Sequence, residues 1–312
     1  MIRKLVSIIT PVFNEEENVE HFYREMQQVT YALKNSYDFE FIFTDNASTD
    51  RTFAILESLA AQDKRIRVFS FSKNFGYQKS IYTGYIKAKG DCAIEYDCDL
   101  QDPPEMLPEF LQQWEKGYHI VYGIRRSRKE GKLVTLLRKV FYRVINSISE
   151  HNLPTDAGDF MLIDRMIINQ LAGNIDQHPY LRGMIFSFGF KRTGIPYDRR
   201  ARVRGQTKFP FRKMLALAMD GIISQSTIPL RIASYTGVIV AFLSVLLSGY
   251  YIISKMFFSI NLPTGLTTTI ALVLFSISLN ALFLGIIGEY LIRIYSQVRN
   301  KPVTIIAREI NN

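Results

Sequence analysis

Glu95-Tyr96-Asp97-Cys98-Asp99-Leu100-Gln101-Asp102-Pro103-Pro104 is the stretch on which the fold of this chain turns. An apolar run, Cys92 to Ile94, leads into two aspartates one residue apart; a Gln, a third Asp and a Pro-Pro stop follow. Alternate residues of an extended segment point the same way, so Asp97, Asp99 and Gln101 can converge on one ion. Their hard carboxylate and amide oxygens suit Mg²⁺ or Mn²⁺, ions that also take substrate phosphates. The stretch reads as a strand end carrying a metal-diphosphate site. Taken alone it also fits an acidic turn with a helix starting at Pro104, and its neighbours decide between the two.

Working outward, strand-like and helix-like segments alternate. Residues 5–11 (LVSIITP), 39–44 (FEFIFT), 66–72, 92–96 and 119–123 read as buried strands. Between them lie helices. Asn14, with Glu17 at capping-box spacing, is expected to start one that runs to about Lys34; Asp50 opens the next as a cap; residues 77–89 and 104–116 form two more, the last with Pro at its start. Such alternation implies a mostly parallel sheet covered on both faces, with ligands beyond the carboxyl ends of the strands. Thr10–Glu15, Thr44–Asn46 and Asp97–Asp99 all fall at such ends. No GxGxxG occurs, so a dinucleotide-binding Rossmann domain lacks its phosphate loop.

The 312 residues allow a domain of about 200 residues plus an appendage. Residues 232–254 carry no charge, and after Lys255 none occurs until Glu289; the second run is broken by the turn signal Asn261-Leu262-Pro263-Thr264-Gly265. Two membrane spans are expected, near 232–254 and 267–292; a buried hairpin in a soluble protein is the rival reading. Arg212, Lys213 and Arg231 precede the first span, and Arg293, Arg299, Lys301 and Arg308 follow the second. The positive-inside rule then places residues 1–228 and the tail 296–312, with both termini, in the cytoplasm on either side of a hairpin at 229–295. The chain opens Met1-Ile2-Arg3-Lys4 with no cleavable signal evident. A net charge of +9 suits nucleic acid, an anionic membrane or a phosphorylated substrate, and the spans favour the last two. Basic amphipathic helices near 133–149 and 209–223 are candidates for the membrane interface, against ordinary core packing. Cys92 and Cys98 have no metal-ligand spacing and are expected to be free thiols.

The motifs together resemble family 2 glycosyltransferases of the GT-A fold, and within them the polyprenyl-phosphate glycosyltransferases, a group that includes dolichol-phosphate mannose synthases and bactoprenol glucosyltransferases. Thr10-Pro-Val-Phe-Asn-Glu15 is similar to the family's opening nucleotide motif. Thr44-Asp-Asn-Ala-Ser-Thr-Asp50 is similar to its D-D-G-S-x-D segment, with Asn46 and Ala47 in place of the second Asp and the Gly. Ser72-Lys-Asn-Phe-Gly76 and Asp97–Pro104 match as well, with Asn74 expected in a turn. The resemblance implies a nucleotide-sugar site at Pro11, Asn14, Glu15, Asp45 and Asp97, and Mg²⁺ or Mn²⁺ on Asp97, Asp99 and Gln101. Arg202-Val-Arg-Gly-Gln-Thr-Lys208 resembles an R-x-x-G-x-S-K acceptor loop, so Arg202, Thr207 and Lys208, with Arg125 and Arg138, become candidates for the acceptor phosphate. Asp156-Ala-Gly-Asp159-Phe160 resembles the D-x-G-x-F sugar-pocket segment. Asp156 is then the general-base candidate, with Asp97 and Asp99 the other catalytic acids; yet a phosphate monoester, with a second pKa of about 6, needs positioning more than deprotonation.

The implied activity is inverting transfer of a sugar, glucose from UDP-glucose first and mannose from GDP-mannose as the alternative, to a polyprenyl phosphate such as undecaprenyl phosphate. The resemblance also implies a multi-pass protein of the bacterial inner membrane. Two spans give little packing within a membrane, which favours a homo-oligomer; nucleic acid is not an expected partner. A processive polysaccharide synthase would carry Q-x-x-R-W, whereas the only Trp is Trp114, in Gln112-Gln-Trp-Glu-Lys116. A non-catalytic scaffold or flippase subunit would have no need of the acidic motif.

Overall fold

β1 (Lys4–Val12) is the strand around which the sheet assembles. Its run KLVSIITPV is buried from Val6 onward, as a strand covered on both faces must be. The computed structural model describes residues 3–126, 157–174, 176–177, 179–200, 228–257, 265–299 and 301–312. Around β1 the chain alternates as its sequence implies: α1 (Val19–Ala32), β2 (Tyr37–Asp45), α2 (Thr52–Gln62), β3 (Ile66–Phe71), α3 (Tyr77–Lys87), β4 (Cys92–Glu95), a 3₁₀ turn at Pro104–Met106, α4 (Leu107–Glu115) and β5 (Ile120–Arg125). Then come β6 (Ala157–Asp164), α5 (Arg165–Gly173), α6 (Leu181–Ser187), β7 (Arg192–Tyr197), two long helices α7 (Ile228–Phe257) and α8 (Leu266–Val298), and β8 (Ile306–Ile310).

The strands form one sheet in the order β7-β5-β6-β4-β1-β2-β3-β8. β1 pairs parallel with β2 and β4, β2 with β3, and β5 with β7. The sheet is thus mostly parallel, as expected, but β6 runs antiparallel between β4 and β5, and β8 antiparallel along β3. Beneath it, Phe22 and Met26 of α1 meet Phe41 and Phe43 of β2, with Phe22 edge-on to Phe43 at 6.2 Å. A second aromatic group, Tyr96, Phe110, Phe160 and Tyr197, underlies β4 to β7, with centroids of Phe110 and Phe160 4.6 Å apart.

Three local expectations are corrected. α1 starts after Asn18, not Asn14. Asn14 sits in the left-handed region at φ 54°, and its side-chain oxygen accepts from the Thr49 amide, a tertiary bond that wins over the capping box. The acidic stretch is not extended through Gln101: β4 stops at Glu95, and the chain turns at Leu100, φ 55°. Strand alternation therefore does not align Asp97, Asp99 and Gln101. The N-cap of α2 is Arg51, with no side chain capping it; Asp50, one residue earlier, accepts from the Thr52 amide at 3.0 Å and braces the turn before the helix, and Asn74 makes the expected turn by accepting from the Gly76 amide at 2.8 Å.

The chain divides into Met1–Met214 with Lys301–Asn312, and Leu215–Asn300. The second unit contains α7 and α8, which cover the two expected spans. Among the described residues one stretch, Phe275–Val298, is long and apolar enough to cross a membrane, and Leu230–Ser244 is a shorter apolar helix. Leu272, Phe275, Leu282 and Leu284 on α8 are exposed. In the first unit, residues 306–310, expected to be part of a tail, form β8, and the Asn311 side chain donates to the carbonyls of Ala60 and Ile66 at 2.8 and 2.9 Å. The amphipathic helices expected near 133–149 and 209–223 lie outside the described residues.

Candidate active site

In a parallel sheet the strand ends of β1, β2 and β4 open on one side, and the loops that leave them are stitched together. The Asn14 amide donates to Ser48 Oγ at 3.0 Å, and the Glu15 amide to Thr52 Oγ1 at 2.8 Å. Pro11 lies in β1 opposite Thr44, buried in the sheet. Asp45 ends β2 and is fully buried; its carboxylate accepts from the Ser48 amide at 3.0 Å and from Ser70 Oγ at 2.8 Å. It shapes the turn after β2. Ala47 sits in that turn at φ 59°, a conformation glycine adopts without strain, which accounts for the glycine usual in the resembling motif. Asn46 accepts from the Phe75 amide at 3.3 Å, joining the ends of β2 and β3.

Acids crowd the end of β4. Glu95 is buried and Asp97 half-buried; Asp99 and Asp102 are buried in the following loop, and Asp159 comes from β6. The Tyr77 hydroxyl donates to Asp97 Oδ1 at 2.8 Å and lies 3.3 Å from Glu95 Oε1. Tyr77 is partly exposed, and burial together with the charges of Asp97, Glu95 and Asp159 near its hydroxyl pushes its pKa well up. Burial first, then the charges of Asp102 and Asp99, raises Asp97 to about 7 against the Tyr77 hydrogen bond. Burial and Asp97 likewise hold Glu95 well above the usual carboxylate range. Asp99 accepts from the Gln101 amide at 3.1 Å, and the Gln101 carbonyl accepts from the Arg200 amide at 2.9 Å.

A site of like charges held in low dielectric favours a divalent cation. The donors are hard oxygens, which fit Mg²⁺ or Mn²⁺. No three His, Cys, Asp or Glu side chains converge as a cage among the described residues. A cation here would take one or two carboxylates from Asp97 and Asp99 and complete its shell with substrate phosphate and water, as Mg²⁺ commonly does.

Beyond β4 the structure brings two sequence candidates, Asp159 and Arg125, together with partners that the sequence did not mark. Asp159 accepts from Gln78 Nε2 at 3.2 Å and pairs with Arg182 Nε at 3.3 Å, while Gln78 Oε1 accepts from the Leu181 amide, tying β6, α3 and α6 together. Arg125 ends β5, half-buried, with its Nε donating to the Tyr197 hydroxyl at 3.2 Å. Tyr197 in turn donates to Asp102. Tyr77 follows directly on the Ser72–Gly76 motif, the one sequence signal that could have pointed to it; Tyr197 carries none. Cys92 and Cys98 are free thiols, both buried. Arg138, Asp156, Arg202, Thr207 and Lys208 lie outside the described residues.

The family model described as glycosyl transferase family 2 matches residues 7–172. The uncharacterised glycosyltransferase YkcC of Bacillus subtilis (strain 168) is 35% identical over 303 residues, covering 97% of this chain and 93% of the relative. The prophage bactoprenol glucosyl transferase homolog of Escherichia coli (strain K12) is 32% identical over 304 residues, covering 97% of this chain and 98% of its own. Among solved structures, the mannosyltransferase PcManGT from Pyrobaculum calidifontis, in complex with GDP-Man and Mn²⁺, is similar at a TM-score of 0.48 and 16% identity, covering 81% of each chain.

Proposed function

The chain belongs to glycosyl transferase family 2, and from that premise we propose that it transfers a sugar, glucose from UDP-glucose first, to a polyprenyl phosphate such as undecaprenyl phosphate at the cytoplasmic membrane face. The observation that supports this best is the group of carboxylates at the end of β4, hard oxygen donors that would suit a divalent cation carrying a diphosphate. The acceptor class is supported by likeness, over 97% of the chain, to proteins named bactoprenol glucosyl transferase.

In this scheme Pro11, Asn14, Glu15 and Asp45 form the nucleotide side, and Asp97 and Asp99 would hold a divalent cation with the diphosphate, with Gln101 bracing their loop through its backbone. When bound, such an ion neutralises charge developing on the leaving nucleotide. Arg125, Arg138, Arg202, Thr207 and Lys208 hold the acceptor phosphate. That phosphate is largely dianionic at pH 7, so it needs placing within reach of the sugar more than it needs a base; Asp156 orients it or takes its residual proton. A phosphate oxygen forms a bond to the anomeric carbon as the bond to the nucleoside diphosphate breaks on the opposite face. An α-linked donor then gives a β-linked lipid product. α7 and α8 serve as a two-span anchor beside the lipid substrate.

The test is a screen of UDP-glucose, GDP-mannose and modified UDP-sugars against undecaprenyl phosphate, with the anomeric coupling of the product sugar measured by NMR. A β-linked product from an α-linked donor is expected. An α-linked product would remove the single-displacement scheme, and a preference for GDP-mannose would replace the donor.

A further inference from the structure

Arg125 and Tyr197 stand opposite each other where β5 and β7 pair. Asp102 reaches the same place from the loop after β4. Asp102 is 1% exposed and Tyr197 5%, so this is an interior polar chain that must be satisfied internally. The Tyr197 hydroxyl spends its single proton on Asp102 Oδ1, leaving its oxygen to accept from Arg125 Nε at 3.2 Å. Arg199 Nε lies 3.7 Å from the same carboxylate oxygen, a second positive charge that keeps Asp102 compatible with burial.

Two glycines make the seat. A Cβ at Gly158 would stand 3.0 Å from Nη2 of Arg125, and one at Gly123 would stand 2.6 Å from Cε1 of Tyr197. The guanidinium thus lies close against β6, and the tyrosine ring close against β5. Phe160 packs edge-on to Tyr197, centroids 5.4 Å apart, and would meet the same added Cβ at Gly123 at 2.7 Å, so both rings crowd that glycine. Burial alone would weaken the charge on Arg125, but Tyr197, Asp102 and Asp97 more than restore it, which also places the guanidinium within electrostatic reach of the acids at β4. No hydrogen bond among the described residues occupies its Nη1 or Nη2. A guanidinium held by Nε keeps its plane while its outer nitrogens stay available for a two-point contact with an oxyanion.

We infer that Tyr197 and Asp102 are positioning residues that hold Arg125 by its Nε so that its outer nitrogens meet a phosphate oxygen of the donor or of the acceptor. The inference rests on the site being one for phosphorylated ligands. Neither residue touches substrate; each acts through Arg125.

The test uses the full chain in detergent and two binding titrations without turnover: UDP with Mn²⁺, and undecaprenyl phosphate. Four proteins are compared: wild type, Tyr197→Phe, Arg125→Ala and the double variant. Tyr197→Phe keeps the ring and its packing, and a thermal melt checks that each variant is folded. Arg125→Ala is expected to weaken one of the two ligands, which identifies the source of the phosphate. Tyr197→Phe is expected to weaken the same ligand about 10-fold, in the range seen when a supporting residue is lost. In the Arg125→Ala background the same change should cost less than about 2-fold, because the partner it positions is gone. Asp102→Asn, whose amide oxygen can still accept from Tyr197, should weaken that ligand less than Tyr197→Phe does. Unchanged binding of both ligands by Tyr197→Phe, or a loss equally large without Arg125, would overturn the inference, as would Arg125→Ala leaving both ligands unaffected. Wild-type protein that binds UDP but not undecaprenyl phosphate would sink the acceptor assignment alone, and the UDP arm would still decide the role of Tyr197. Binding of neither would overturn both.

Discussion

Asp97 and Asp99 sit in a loop that the sheet holds in place, so replacing them should cost chemistry and not folding. Asp99→Ala is expected to lower turnover about 100-fold or more, the scale of losing a principal electrostatic contact to a transition state, with an unchanged melting temperature. Turnover unaffected by excess chelator would contradict the assignment of a cation to these residues. Ala47, at φ 59°, is a different kind of residue. The left-handed region costs a non-glycine residue about 1–2 kcal/mol, offset in part by the freedom glycine adds to the unfolded chain. Ala47→Gly should leave stability level or raise it by up to about 1 kcal/mol, measured by melting, and leave activity intact. At this scale the placing of the acids at a strand end was legible, because the motifs at neighbouring strand ends set them apart from an ordinary acidic turn. Their partners were not. Tyr77 reaches Asp97, and Tyr197 reaches Asp102, from elements distant in sequence, and nothing in YDRR at 197–200 or in the run after Gly76 marks a tyrosine that binds a carboxylate.

At the scale of elements, strands β1 to β5 announce themselves as continuous apolar runs, because a parallel strand buried on both faces needs no polar side. β7 (RTGIPY) and β8 (IAREI) lie at the two edges of the sheet, where polar residues are tolerated, and their runs are short and mixed. β6 begins with the Gly and Asp of a motif that drew attention for its chemistry instead. β8 shields the edge of β3, which would otherwise offer unpaired backbone to another chain. Asn311→Ala removes two bonds to buried carbonyls and should cost about 2 kcal/mol; removal of 300–312 should make the protein aggregate, seen by size-exclusion chromatography. Between α2 and β3, Asp63 gives the fold an acid limit. Burial would raise its pKa, but hydrogen bonds from Arg65, Tyr23 and the Arg65 amide lower it to about 2. A carboxyl depressed in the folded state stabilises above its unfolded pKa of about 3.9 and loses that contribution as pH falls toward 2, about 2 kcal/mol in all. Tyr23→Phe should therefore shrink the drop in melting temperature between pH 5 and pH 3; an unchanged drop would show that Tyr23 does not help hold the charge.

For the molecule as a whole, β8 fixes a constraint that the charges only suggested. The chain leaves the first unit before residue 215 and returns at residue 301 to pair with β3 in the sheet that also contains β1. In the proposed scheme a membrane crossing by residues 215–300 would be matched by a crossing back, which a hairpin of α7 and α8 would supply. A cysteine replacing Thr264, between α7 and α8, should react with an impermeant thiol reagent in intact cells, while one replacing the exposed Ser36 should not; labelling of Ser36→Cys would reverse the orientation. The central claim joins the carboxylates at β4 to a lipid acceptor. Its most direct test is to incubate the purified chain with UDP-glucose, Mn²⁺ and undecaprenyl phosphate, with GDP-mannose in parallel, and to read the lipid by mass spectrometry. The predicted result is undecaprenyl phosphate heavier by one hexose, formed in step with nucleoside diphosphate and absent from Asp99→Ala. Nucleotide sugar hydrolysed to free sugar with the lipid unmodified, or no consumption of either donor, would contradict it.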